Sequence, residues 1–186
     1  MPNRCLWAEA HTLLLEYHDN EWGVPVHDDL KLFEFLILEG FQAGLSWLTI
    51  LKKRQSFREA LEGFDAEKLA RWGEAEITRA MRNEKIIKNR RKLEGAVANA
   101  RAFLKVRESF GSFSEYMWGF VEGKPVKNAW NDPSLIPAET PLSRNISRDM
   151  KRRGFRFVGP VVIYSHMQAV GMVNDHLVDC FRYNEV

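Results

Sequence analysis

The most constraining feature of this chain is the run LKLFEFLILEG at positions 30–40. It follows Asp28 and Asp29, either of which can cap a helix N-terminus, and it is apolar on nearly every side. A helix without a broad polar face is stable only when other elements surround it. We therefore predict a buried central helix that ends near Gly40 and a fold arranged around it.

The rest of the chain also shows helical spacing, and strand signals are sparse. Helices are expected over 48–64, 90–109 and 142–154, with Asp65 capping a short one and Ser112 or Ser114 capping another. Residues 123–141 contain four prolines and are expected to form an irregular connection. A last helix is predicted across 160–180. The fold class is all-α.

Length and composition limit the protein to one domain or two small lobes around a shared cleft. The chain has 186 residues and 45% hydrophobic content, enough for a real core. No apolar run approaches the roughly 20 residues of a membrane span, and the N-terminus has acids and histidines where a signal peptide needs apolar residues. We interpret the protein as cytoplasmic, with no membrane partner. Cys5 and Cys180 are then free thiols or metal ligands rather than a structural disulfide.

Positive charge is concentrated in two segments, although the net charge is only +2. Residues 79–107 hold ten Lys or Arg against two acids, and residues 144–156 hold six against one. Such polarity suggests a polyanion as partner. The alternative is that both segments are ordinary solvated helix faces.

Both cysteines have a histidine near them in the sequence, Cys5 with His18 and Cys180 with His176. On a helix, positions i and i+4 lie on the same face, so His176 and Cys180 could coordinate the same ion. A Cys2His2 set would complete a tetrahedral zinc site that is closed to water and therefore structural. Alternatively, the histidines are hydrogen-bonded and the cysteines are small buried apolar groups.

Glu39 ends the apolar run, so we expect its carboxyl group to face the interior. An ionised acid there requires an interaction partner or has a functional role. A carboxylate that simply reaches solvent is the alternative, although the helix dipole disfavours an acid there.

The segment just beyond Glu39 contains residues suited to contact a ligand. Gly44 is flexible, Leu45 can project as a wedge, and Trp47 offers a flat ring. Leu and Trp more often pack in a core. The N-terminal region is nevertheless rich in such rings: Trp7, Tyr17, Trp22 and Trp47.

Five motifs carry a resemblance to a known family: YHDNEWGVP, LEGFQAGLSW, IIKNRRKL, RGFRFVGP and VNDHLVDC, in this order. Together they resemble the bacterial 3-methyladenine DNA glycosylase I family, and the resemblance runs essentially from end to end. It implies the helix-hairpin-helix glycosylase fold, a single compact domain over 1–186. One helical lobe with the hairpin is expected at roughly 28–120, and the second is built from the N-terminal segment and residues 140–186, with a cleft between them.

The resemblance also implies one structural zinc ion that joins the two termini. The family's ligands fall on residues of the right type in this sequence: Cys5, His18, His176 and Cys180.

The function implied by the resemblance is base-excision repair of alkylated double-stranded DNA by a monofunctional hydrolase, which is expected to be a monomer. The enzyme would rotate 3-methyladenine out of the stack and hydrolyse its N-glycosidic bond, leaving an abasic site, with weak action on 3-methylguanine also expected. Glu39 would recognise the cationic base and stabilise charge, while a water attacks the sugar. The rings that would bind the base are Trp7, Tyr17, Trp22 and Trp47.

DNA contacts are expected from two segments. In the hairpin NEKIIKNRRKL, phosphate contacts are assigned to Lys88, Arg90 and Lys92. In the loop after Glu39, DNA contact is assigned to Gln42, Gly44 and Leu45, and the side chains of Gln42 and Leu45 could fill the gap left by the base. The hairpin turn has Glu84-Lys85 where a glycine is expected, which leaves its geometry open.

Two other functions remain open at this stage. The protein could be a zinc-stabilised module that binds DNA damage without cleaving it. Alternatively, the metal could be catalytic, with Asp175 or Asp179 beside an open coordination position.

Overall fold

The computed structural model describes residues 3–186, which form a helical structure with almost no sheet. None of the helices in this range is long and apolar enough to cross a membrane. The α-helices are α1 (Thr12–Asn20), α2 (Asp29–Gln42), α3 (Trp47–Ala60), α4 (Ala66–Ala70), α5 (Glu74–Met81), α6 (Arg90–Phe110), α7 (Phe113–Gly119), α8 (Pro141–Arg152) and α9 (Pro160–Ala169). Two short strands, β1 (Val126–Lys127) and β2 (Val173–Asn174), pair in parallel. The predicted all-α class is confirmed.

Helix α2 is the centre of the fold, as its apolar sequence predicts. Asp28 caps it, its Oδ1 accepting a hydrogen bond from Lys31 N at 2.8 Å. All ten residues from 32 to 41 are buried, and the helix contacts α3, α6, α7 and α9. It ends at Gln42, two residues beyond the predicted Gly40. Because its last turn lies within the core, side chains there can face an enclosed cavity.

Helices α5 and α6 are joined by the loop 82–89, the segment expected to form the hairpin. Asn83 Oδ1 accepts from Lys85 N at 2.9 Å, and Asn89 Oδ1 caps α6 by accepting from Lys92 N at 3.1 Å. Neither Glu84 nor Lys85 has a positive φ. This turn therefore forms without the glycine that its sequence lacks.

The predicted helix across 160–180 is wrong beyond Ala169. Gly171 has φ +71°, a left-handed conformation that ends the helix. The following residues pair with β1 instead, because Val126 N donates to Met172 O and Asn128 N donates to Asn174 O. His176 and Cys180 consequently lie on irregular backbone, and a shared helix face does not bring them together.

The two ends of the described chain are hydrogen-bonded to each other. Phe181 N donates to Asn3 O at 2.9 Å, and Asn3 Nδ2 donates to Asp179 Oδ2 at 2.7 Å. The C-terminal segment thus lies beside the residues that precede α1. The division into two lobes stays a prediction.

Candidate active site and metal centre

A cavity of about 410 Å³ opens beside the last turn of α2, within the range of small-molecule sites. The N-terminal half of the chain contributes Trp7, Tyr17, Trp22, Glu39, Gln42 and Trp47 to its lining, and the C-terminal half contributes Pro133, Ile136, Ser165 and Gln168. The structure thereby brings together all five residues to which the sequence assigns catalysis or base binding.

Aromatic rings form most of one wall. Tyr17 of α1 and Trp47 at the start of α3 have ring centroids 5.4 Å apart, tilted by 51°. The ring of Trp7 packs edge-on against that of Trp22, with centroids 5.0 Å apart. Its centroid is 6.3 Å from that of Tyr17, with the two rings tilted by 52°. Ser46 fixes the first turn of α3, since its Oγ accepts from Thr49 N. A flat ligand entering the cavity would meet the faces or edges of these rings.

Glu39 presents its carboxyl group to this cavity without a partner. Its residue surface is 4% exposed, and no hydrogen bond or ion pair to it occurs among residues 3–186. Burial raises the pKa of Glu39 to about 8. The group is therefore mostly protonated at neutral pH, and a cation placed in the cavity would favour its ionised form.

Two further polar groups of the wall keep their protons. The indole Nε1 of Trp47 is buried and has no acceptor in the described part of the chain. Burial, and then the nearby Glu39, raise the pKa of Tyr17 well above that of a free phenol. Both side chains are consequently neutral flat rings.

The loop after α2 lies at the edge of the cavity. Gln42 Nε2 donates to Leu45 O at 3.1 Å, and Gly44 between them has φ +83° with open space where a Cβ would be. The side chain of Leu45, three residues after Gln42, is 40% exposed. The loop can thus offer an apolar side chain to a ligand that approaches from solvent.

The three hairpin cations assigned to DNA differ in availability. Lys88 is exposed, with Nζ 3.7 Å from Glu84 Oε1. Arg90 donates through both terminal nitrogens to Glu74, at 2.9 and 2.8 Å. A phosphate contact by Arg90 would have to replace this ion pair.

Lys92, the third hairpin cation assigned to DNA contact, is engaged within the protein. Its side chain is buried, and Nζ donates to Phe41 O at 2.8 Å and Ala43 O at 2.7 Å. These carbonyls belong to the C-terminal end of α2, which carries partial negative charge. Lys92 therefore stabilises the end of the central helix.

The four predicted metal ligands converge. All are buried, and their ligand atoms lie within 4.8 Å of one another. Cys180 Sγ is 3.5 Å from His18 Nε2 and 3.6 Å from His176 Nδ1, and Cys5 Sγ is 3.8 Å from His176 Nδ1. A tetrahedral zinc ion with bonds of about 2.3 Å to sulfur and 2.0 Å to nitrogen places its ligand atoms about 3.5 Å apart. The cluster therefore fits a metal ion of this kind.

Second-layer hydrogen bonds fix which nitrogen of each histidine faces the cluster. His18 Nδ1 lies 2.8 Å from Asp19 Oδ1, and Arg4 Nη2 holds the same carboxylate at 2.8 Å. His176 Nε2 lies 3.1 Å from Trp22 O. Burial lowers the pKa of both histidines, that of His176 to about 4, so both rings are neutral, as metal ligands must be.

The two acids proposed as neighbours of a catalytic metal have other partners. Both carboxylate oxygens of Asp175 accept hydrogen bonds from side chains, and Asp179 accepts from Asn3. Neither belongs to the group of converging ligand atoms. The arrangement favours a closed, structural metal site.

Sequence reasoning did not identify the C-terminal half of the cavity wall. Ser165 and Gln168 are three residues apart on α9, a spacing that could have marked them as one face. Pro133 and Ile136 lie in the irregular connection, where no periodicity exists to find them. Asp19 adjoins His18 in the sequence, and that adjacency was the available signal for its second-layer role.

Comparisons with known proteins agree with this geometry. The methyladenine glycosylase family model matches residues 7–183. DNA-3-methyladenine glycosylase of Haemophilus influenzae is 44% identical over 97% of both chains, and DNA-3-methyladenine glycosylase 1 of Escherichia coli is 44% identical over 97% of this chain and 96% of its own. A crystal structure of 3-methyladenine DNA glycosylase I superposes with a TM-score of 0.94 at 44% identity, covering 96% of this chain and 98% of that one. The chain therefore belongs to the methyladenine glycosylase family.

Proposed function

We propose that this protein is a DNA-3-methyladenine glycosylase, a hydrolase of base-excision repair that removes 3-methyladenine from alkylated double-stranded DNA and leaves an abasic site. The observation that carries the proposal is the buried, unpartnered carboxyl group of Glu39 in an aromatic cavity of suitable size for one base. The activities named for the relatives at 44% identity support it.

Charge is the basis of recognition in this proposal. Methylation at position 3 makes adenine cationic while it is still attached to the sugar, whereas normal adenine is neutral. The faces of Tyr17 and Trp47 attract a cation, and the cation lowers the pKa of Glu39 so that the carboxylate forms beside it. Binding of a damaged base is thus coupled to ionisation of Glu39, and a normal base does not provide that driving force.

The reaction needs little chemical assistance, because the damaged base is already a good leaving group. When the glycosidic bond breaks, its electron pair moves to the base, which departs neutral, and positive charge develops on the sugar. A water molecule then adds to the sugar and loses a proton. The carboxylate of Glu39 stabilises positive charge in the site, first on the base and then on the sugar.

The base must leave the duplex to reach the cavity. Leu45 and Gln42 at its edge are suited to fill the gap in the stack, with Gly44 allowing the tight loop between them. Lys88 in the loop before α6 and Arg90 at the start of that helix are suited to bind the phosphates. We assign the helix-hairpin-helix role to α5, α6 and the loop between them. We propose that the protein acts as a monomer in the cytoplasm, where Cys5 and Cys180 remain reduced.

We assign zinc to the cluster of Cys5, His18, His176 and Cys180. Two thiolates, two neutral imidazoles and buried, closed surroundings are the donor set of a structural zinc site. Zinc would there hold the C-terminal segment against the residues that precede α2, next to the aromatic wall. It takes no part in bond cleavage.

Substitution of Glu39 by glutamine tests the proposal. Glutamine keeps the size of the side chain but cannot become an anion, so excision should fall at least about a hundredfold, the range of a lost charge-stabilising group. The measurement is chromatography of bases released from methylated DNA. The control is Glu16→Gln, an exposed acid on α1, which should retain full activity.

Two outcomes would contradict the proposal. Full activity of Glu39→Gln would remove Glu39 from the reaction. A wild-type protein that binds methylated DNA but releases no 3-methyladenine would favour the alternative of a non-catalytic damage-binding module.

A further inference from the structure

Gln168 lines the cavity, and the nitrogen of its side-chain amide is held by Asp175. Its Nε2 donates to Asp175 Oδ2 at 2.8 Å. Tyr164 Oη donates to the same oxygen at 2.6 Å. Asn128 Nδ2 and Trp130 Nε1 donate to the other oxygen, each at 2.7 Å. Asp175 is 1% exposed, so these four donors surround it completely.

This arrangement determines the orientation of the Gln168 amide. A carboxylate oxygen surrounded by donors accepts hydrogen bonds and offers none, so the amide nitrogen must face Asp175 and the amide oxygen must point away. Gln168 Oε1 has no hydrogen-bond partner among residues 3–186, and it is not among their buried unpartnered atoms. Because Gln168 lines the cavity, its oxygen is open to the cavity.

We infer that Gln168 is a specificity-determining residue whose amide oxygen, oriented by Asp175, accepts a hydrogen bond from the amino group at position 6 of the target base. This inference rests on the proposed function and deepens it. The ring faces and Glu39 sense positive charge, which methylated adenine and methylated guanine share. A fixed acceptor distinguishes them at position 6, since adenine has a donor there and guanine has a carbonyl oxygen that repels another acceptor.

The test compares two free bases, 3-methyladenine and 3-methylhypoxanthine, in which a carbonyl at position 6 replaces the amino group. Their affinities are measured through the fluorescence of the tryptophans that line the cavity. Gln168→Met keeps the length of the side chain but removes the amide. We expect the affinity for 3-methyladenine to fall at least about tenfold while that for 3-methylhypoxanthine stays equal or rises. An unchanged affinity for 3-methyladenine, or an equal loss for both bases, would overturn the inference.

The positioning role of Asp175 has its own test. In Asp175→Asn the amide of residue 175 can offer a donor or an acceptor, so Gln168 can flip. We expect the preference for 3-methyladenine over 3-methylhypoxanthine to fall as it does in Gln168→Met. The double variant Gln168→Met/Asp175→Asn should lower this preference no further. Tyr164→Phe removes a different donor from the same carboxylate oxygen and should leave the ratio unchanged. The role would be contradicted if the effects of the two substitutions on the affinity ratio add in the double variant. It would also be contradicted if Tyr164→Phe changes that ratio as much as Asp175→Asn does.

Release of 3-methyladenine from methylated DNA by the wild-type protein is measured in parallel. No release would refute the proposed function itself. Release with an affinity ratio that Gln168→Met leaves unaltered would refute only the role of Gln168. The zinc content and melting temperature of each variant show whether its fold is intact.

Discussion

Glu34 and Glu39 lie five residues apart on α2, and both are buried, but their partners differ. Glu34 accepts from Arg54 Nε at 2.6 Å and from Arg58 Nη2 at 2.8 Å. Glu39 has no such partner within residues 3–186. A buried acid without a partner is unfavourable in its ionised form, and such groups occur where a ligand provides the missing charge.

This difference predicts how stability depends on pH. The pKa of Glu39 is about 8 in the folded protein and about 4.5 in the unfolded chain, so between these values the folded state retains a proton that the unfolded state loses. Ionisation of Glu39 therefore contributes a loss of stability as pH rises through this window, and Glu39→Gln lacks this contribution. The variant should become more stable than wild type by an amount that grows with pH to about a few kcal/mol and then levels off above pH 8.

Urea denaturation of both proteins at pH 5, 6.5 and 8 measures this difference. Glu16→Gln should follow the wild-type curve, because that side chain is exposed. A constant difference between Glu39→Gln and wild type across the three pH values would mean that Glu39 is not destabilised when ionised.

Asp19 is predicted to control metal affinity without touching the metal. Its carboxylate orients the ring of His18 and is itself held by Arg4. Asp19→Ala should weaken zinc binding by about ten- to a hundredfold, measured by competition with a chromophoric chelator. Asn20→Ala is the matched control, because Asn20 is exposed and its side-chain amide donates to Glu16 O within its own helix. Equal affinity of the two variants would exclude the second-layer role.

At the scale of elements, the two basic segments contain more Lys and Arg residues than are available to bind DNA, because several already have partners within the protein. Arg101 donates to the backbone carbonyls of Ala70 and Trp72, and Arg107 donates to Glu67. Arg153 pairs with Asp149 at 2.6 Å. Arg101 and Arg107 therefore join α6 to α4, a structural use of positive charge that neither alternative drawn from the sequence describes.

The junction of α2 and α6 provides a test of this division. Lys92→Met leaves the carbonyls of Phe41 and Ala43 without their donor, and we expect it to lower the free energy of unfolding by about 1–3 kcal/mol. Lys88→Met should leave stability unchanged and weaken binding to DNA. Denaturant unfolding and fluorescence anisotropy with duplex DNA separate the two effects. Lys92→Met at wild-type stability would refute the role of Lys92 at the end of α2.

At the scale of the whole molecule, the cluster of Cys5, His18, His176 and Cys180 brings together segments from both ends of the described chain. Its ligands span positions 5–180, and the segments that carry them are also joined by Phe181 N donating to Asn3 O. A bond between distant positions restricts the unfolded chain strongly and stabilises the folded one. The aromatic wall adjoins this centre, since Trp22 stacks edge-on with His176 at 4.5 Å.

Metal removal should therefore affect the fold before the chemistry. We expect a strong chelator to lower the melting temperature by at least about 10 °C. Circular dichroism measures the melting curve. Activity should decline only as the helical signal declines. Activity that disappears while the melting curve is unchanged would indicate a catalytic metal instead.

Much of the fold follows from the sequence, because local patterns decide it. The apolar run at 30–40 predicts a buried helix wherever that helix packs, and Asp65 and Asn89 act as caps through hydrogen bonds to residues two or three positions away. The predicted helix across 160–180 is wrong because β1, some 45 residues earlier, pairs with residues 172–174. No local pattern records such a partner.

The sequence by itself determined which side chains with suitable chemistry exist: an acid at the end of an apolar helix, four flat rings and two Cys–His pairs. Only the tertiary structure decided which of them are free to act. Glu39 is unpartnered within residues 3–186, whereas Lys92 is engaged by the carbonyls of α2 and Gln168 is oriented by Asp175. The physical reason is that protonation, hydrogen bonding and exposure of a side chain depend on groups brought near it from distant parts of the chain.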